Sequence, residues 1–180
     1  MKEGLVKLTW LPFELHPEAP VDGIPREAYF GRARSLSMRS RLDEVADEVG
    51  LVMKQRDVLI NSRKALGAAE FAREHGKYDE MHQAAVKAHS ERSGKLGGGH
   101  DLGRIGTEGG LDQGELREAI EEGRYEQVLD ENRRLAESVG INAIPAHIFG
   151  RRYLVMGAQP YEAFTQVLDK LREDFGATGS

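Results

Sequence analysis

The chain has 180 residues, a formal net charge of −5 and no cysteine, with 39% hydrophobic and 31% charged residues. A chain of this length buries about 70% of its unfolded surface and makes one domain, with room for an insertion. The composition excludes a disordered chain, and within these residues it excludes disulfides, thiolate metal sites and a thiol nucleophile. Mild acidity argues against general nucleic-acid binding. The apolar runs are too short for a membrane span, and MKEGLVKLTW does not read as a secretory signal. The expectation is a cytoplasmic domain that binds neither nucleic acid nor membrane.

Residues 5–11, LVKLTWL, alternate with period two. Val6, Leu8 and Trp10 form a wholly apolar parity, so the spacing predicts a short strand with that set buried, ended by Pro12. Residues 12–25 hold four of the six prolines and read as irregular extended chain. From 26 to 140 the periodicity is helical. Leu42, Val45, Ala46 and Val49 make one stripe, closed by Gly50. Asn61 is placed to cap a helix running to about His75 and closed by Gly76. Tyr78, Met81, Ala85 and Ala88 make the next stripe. Asp112 suits the start of a short helix ending near Gly123. Val128, Leu135, Ala136 and Val139 follow, closed by Gly140. Several helices joined by short turns predict a bundle.

Residues 146–150 and 152–157 are short strand-like runs around a tight turn, which predicts a hairpin. Pro160 suits the first position of a final helix carrying Tyr161, Phe164, Val167, Leu168 and Leu171. The tail GATGS reads as frayed. An early strand needs partners, and the other strand signals lie far along the chain. The helices are therefore read as an insertion between pieces of one mixed sheet. No internal repeat is visible.

Five features invite a chemical reading. The glycine-rich stretch 93–110 suggests a phosphate loop, but Leu96 follows Gly94 and Lys95 where Ser or Thr is needed, so the expectation is a flexible turn. His75, His82 and His89 recur every seven residues. That spacing leaves neighbouring imidazoles about 10 Å apart along a helix, too far to share a metal, and solvated histidines are expected. Arg26, Arg32, Arg34, Arg39 and Arg41 form a basic run, offset by neighbouring acids into a solvated helical face. Ser, His and acidic residues occur without a nucleophile elbow, so nothing supports a hydrolase triad. Ile144-Pro145 sits after a helix and immediately before a strand, a place where a cis bond occurs.

Three segments together resemble a known family. LTWLPFELHPEAP (8–20) is similar to the strand and following turn of DsbA-like thioredoxin-fold oxidoreductases, in the branch called FrnE-like. INSRKALGAAEFAREHGK (60–77) resembles that branch's helical insertion. Residues 110–164 resemble its C-terminal half, above all in the series of a helix ending in GI, then IP, a strand, GRRY and GAQP. The resemblance implies an α/β chain: a thioredoxin-like fold with an inserted helical domain. Residues 1–25 and 141–180 would form the thioredoxin-like part and 26–140 the insertion. Pro145 matches the family's cis-proline and Ile144 the residue before it, which in the family line the substrate groove and pair with extended substrate.

The family's first strand, its C-x-x-C dithiol and the helix that follows have no counterpart in these residues. Thiol–disulfide exchange needs a stabilised thiolate. The resemblance therefore implies a disulfide oxidoreductase homologue, redox-inactive as given, with no catalytic residue, cofactor or metal site. A redox-dead peptide-binding module using the groove, or a relative of glutathione-dependent isomerases, are the alternatives. The expected partner is an extended peptide or thiol-containing substrate. In the implied fold, strands 5–11 and 146–149 flank the absent strand. Either 5–11 pairs beside 146–149, or a second chain fills the place in a homodimer, or the chain aggregates.

Overall fold

A computed structural model of the chain describes residues 6–48, 50, 57–91 and 99–177. The chain divides into two compact units, Met1–Asn132 and Arg133–Ser180.

In the first unit, β1 (Ile24–Pro25) runs into α1 (Arg26–Phe30) and then α2 (Arg32–Glu48). β2 (Val58–Leu59) pairs antiparallel with β1, Ile24 opposite Leu59. Then come α3 (Arg63–Glu74), α4 (Tyr78–Glu91), α5 (Gly99–Glu108), α6 (Gln113–Glu121) and the start of α7 (Glu126–Ser138). The core lies among α3 to α6, where Phe71, Met81, Ile105 and Leu116 are the largest fully buried side chains. Small residues at Ala68, Ala72, Ala84, Ala88 and Ala119 let these helices approach closely.

Local chemistry sets the helix ends. The Asn61 Oδ1 accepts the Arg63 N–H at 2.9 Å, while its Nδ2 donates to Ala19 O at 3.0 Å and ties the proline-rich segment to the head of α3. Past Gly76, with φ 65°, the Lys77 N–H reaches back to Ala72 O at 2.7 Å. That closes α3 and starts α4 two residues later. The Asp112 Oδ1 accepts the Glu115 N–H at 2.8 Å, capping α6.

Three expectations are corrected here. Residues 6–11 are in no strand, and Val6, Leu8 and Trp10 are 57%, 61% and 45% exposed rather than buried. A strand needs a hydrogen-bonding neighbour, and the described residues form two separate two-stranded sheets instead of one mixed sheet. The segment lies instead against α3 and α4. There Arg73 Nη2–H donates to Trp10 O at 2.7 Å, and the Trp10 ring stacks on His82 at 5.2 Å. The α2 stripe is mostly outside: Ala46 is buried, but Leu42 and Val45 are exposed. Val49 lies outside the described residues.

The glycine-rich stretch is not a flexible turn over 99–108 but helix α5; Gly94, Lys95 and Leu96 lie outside the described residues. The glycines are packing sites. A Cβ on Gly109 would come within 3.0 Å of the Met81 Cα, a backbone atom that cannot step aside.

In the second unit, β3 (Ala146–Phe149) and β4 (Tyr153–Met156) form an antiparallel hairpin with Phe149 opposite Tyr153. Gly150 and Arg151 both have positive φ, 54° and 59°, and the Arg152 N–H closes on Phe149 O at 2.9 Å. Two successive positive φ values make a type I′ turn, whose twist matches the strands. α8 (Tyr161–Ala177) covers one face of the hairpin. Phe164 meets the His147 ring at 4.9 Å, and the Tyr153 hydroxyl donates to Asp174 at 2.6 Å.

Candidate functional site

The site named by the sequence, Ile144 and Pro145, lies at the entry to β3. α7 ends in a cap at Gly140, with φ 77°, where the Ile141 N–H reaches Ala136 O at 2.9 Å. That cap aims the chain at the hairpin in four residues. The Ile144–Pro145 peptide bond is cis. Pro145 O accepts the Gly157 N–H at 2.7 Å, which fastens the turn to the far end of β4. Ile144 is 54% exposed, and among the described residues its backbone pairs with no other backbone group.

Strand alternation divides the hairpin into two faces. His147, Phe149, Tyr153 and Val155 share the face that meets α8. Ala146, Ile148, Leu154 and Met156 share the other, which is entirely apolar; Ile148 is 45% exposed. Among the described residues β3 pairs only with β4, so its outer edge carries unpaired backbone groups. The arrangement offers backbone pairing and apolar contact, which suits an extended chain. The His147 Nδ1 is buried beneath it with no hydrogen-bond partner among the described residues. The sequence analysis did not single out His147, and no local pattern marks its nitrogen as unpartnered.

The other sequence candidates are structural. His75 bonds Phe71 O through Nδ1 at 2.8 Å and stacks on the Phe71 ring. His82 lies between Trp10 and Tyr78, with ring centroids 5.2 and 5.9 Å away. The His89 side chain lies outside the described residues. Among the described residues no group of three or more His, Asp or Glu is placed to hold a metal ion. No helix among them is long and apolar enough to cross a membrane. Trp10, Arg73 and Tyr78 line an open cleft of about 440 Å³ in the first unit.

One cluster escaped the sequence. Arg63 binds Glu14, Glu126 and Asp130, the last at 2.8 Å. The Glu14 side chain is 3% exposed, and its Oε1 has no partner among the described residues. Burial disfavours the Arg63 charge, but hydrogen bonds to Asp130, Glu126 and Glu14 outweigh it and raise its pKa. The partners lie 49, 63 and 67 positions away, beyond the reach of any local pattern. This network ties the proline-rich segment to α3 and α7.

The chain is similar to known proteins both in family and in structure. A family model described as DSBA-like thioredoxin domain matches residues 2–169. The crystal structure of a probable DsbA oxidoreductase from Streptomyces coelicolor is similar at a TM-score of 0.78 and 25% identity, covering 88% of this chain and 72% of that one. No curated protein matches.

Proposed function

The chain belongs to the DSBA-like thioredoxin domain family, and from that membership we propose that these residues supply the polypeptide-docking part of a disulfide oxidoreductase homologue, without exchanging disulfides themselves. The fold is thioredoxin-like, mostly helical with small sheets. The observation that carries the reading is the exposed Ile144–Pro145 turn at the head of β3, whose outer edge is open among the described residues. An extended chain laid along that edge gains backbone hydrogen bonds, and Ile148 and Met156 offer apolar contact beside it.

The redox half of the proposal follows from composition. Exchange proceeds by thiolate attack on a disulfide sulfur, and these 180 residues contain no cysteine. A branch similar to the FrnE-like oxidoreductases is supported by the motifs at 60–77 and 110–164. A cytoplasmic setting is part of the same proposal.

The test pairs binding with activity. Fluorescein-labelled, carboxymethylated insulin B chain should raise its anisotropy saturably on addition of the protein. Ile144→Asp, which puts a charge at an exposed position, should weaken this about tenfold or more. In parallel, insulin reduction by dithiothreitol should run no faster with the protein than with a mock purification. Binding unaffected by Ile144→Asp would remove the docking site, and a rate above the mock would remove the redox-inactive reading.

A further inference from the structure

Two arginines of the basic run, Arg26 and Arg34, meet one aromatic ring in the first unit. Phe30 ends α1, Gly31 turns the chain with φ 81°, and α2 brings Arg34 back to the Phe30 ring. Two guanidinium groups lie against that ring: the Arg26 Cζ is 5.3 Å and the Arg34 Cζ 5.8 Å from its centroid. The rings of His16 and Tyr29 pack edge-on against Phe30, at 5.3 and 4.7 Å.

Two nearby acids, Asp57 and Glu18, are committed elsewhere. Asp57 pairs with Arg39. Glu18 accepts from the Tyr29 hydroxyl and pairs with His16. Among the described residues neither Arg26 nor Arg34 forms an ion pair with any carboxylate. Arg26 is half-buried, and both that burial and the like charge of Arg39 lower its pKa. A partly desolvated cation without a counter-ion is a cost that the fold alone does not require, and such groups mark binding sites.

We propose that Arg26 and Arg34, seated on Phe30, bind a phosphate group. Each guanidinium is a planar fork of N–H donors that matches an oxyanion, and the ring holds both forks through cation–π contact. Two forks suit a ligand with three acceptor oxygens and nearly two negative charges. A phosphate monoester has both near neutral pH, and a carboxylate has neither.

Arginine Nε–H resonances of the full chain, at low ionic strength, test this with three titrants: inorganic phosphate, phenyl phosphate and acetate. Both phosphates should shift Arg26 and Arg34 saturably, and acetate should not. Tighter binding of phenyl phosphate would identify a phosphorylated organic molecule as the source; equal binding would identify free phosphate. Arg34→Gln, at an exposed position on α2, should weaken binding about tenfold, with circular dichroism confirming an intact fold. Arg26→Gln should do the same, leaving its backbone bond to Asp57 O in place. An equal response to acetate, no saturation in the millimolar range, or unchanged affinity in Arg34→Gln would overturn the site.

Discussion

At Gly150 one absent methyl group decides how the hairpin meets its helix. A Cβ there would lie 2.6 Å from Leu171 Cδ1, and the φ of 54° is one that side chains disfavour. Gly150→Ala should destabilise the chain by about 1–3 kcal/mol, combining backbone strain with overpacking. A lowered urea midpoint with circular dichroism still native at zero denaturant would show this.

Arg63 is a second such residue. Arg63→Met leaves the Glu14 carboxylate buried without a cation. The expected loss is about 2–3 kcal/mol, less than a fully buried pair because Glu126 and Asp130 are half in water. Urea unfolding of the variant checks it. Tyr125 sets a pH dependence. Its pKa is pushed up to about 12, first by burial and then by its hydrogen bond to Glu74. The folded value is raised, so this contribution is complete below the ordinary tyrosine value of about 10. It is lost as pH rises through about 12. Wild type should therefore lose stability relative to Tyr125→Phe between those limits, as read by paired urea titrations.

At the scale of the element, residues 6–11 show where sequence reading stops. The alternation of Val6, Leu8 and Trp10 is real, but a strand is a property of two segments, and no described segment pairs with this one. The chain is held instead by Arg73 and His82. Arg73→Gln should thus raise the rate of chymotryptic cleavage after Trp10 under native conditions, and it should also lower the unfolding midpoint because Arg73 pairs with the buried Glu70 carboxylate; unchanged cleavage would show that Arg73 does not restrain the segment. Helix ends were legible, because Asn61, Gly76, Asp112 and Gly140 act on bonds within a few residues. The packing glycines Gly106, in α5, and Gly109, just after it, were not. Their composition signals a turn, while the contacts that require Gly106 and Gly109, with Leu116 and with the Met81 backbone, are tertiary.

At the scale of the molecule, the family and the fold were legible because the motifs at 8–20, 60–77 and 110–164 survive as local sequence. Residues 6–11 form no strand among the described residues, which argues against the paired arrangement among the three expected from sequence. In the hairpin, Ile148 and Met156 remain exposed. Exposed apolar surface next to an open strand edge recruits other chains. Sedimentation velocity should therefore show concentration-dependent association of the 180-residue chain, and a lone monomer peak at high concentration would contradict it.

The docking we propose places an extended polypeptide at the Ile144–Pro145 turn and along β3. Backbone amide shifts of the labelled chain, titrated with carboxymethylated insulin B chain, test it most directly. Saturable changes concentrated at Ile144, Ala146 and Ile148 are expected, and their loss in Ile144→Asp. Changes centred instead on Trp10, Arg73 and Tyr78, or none at all, would contradict it.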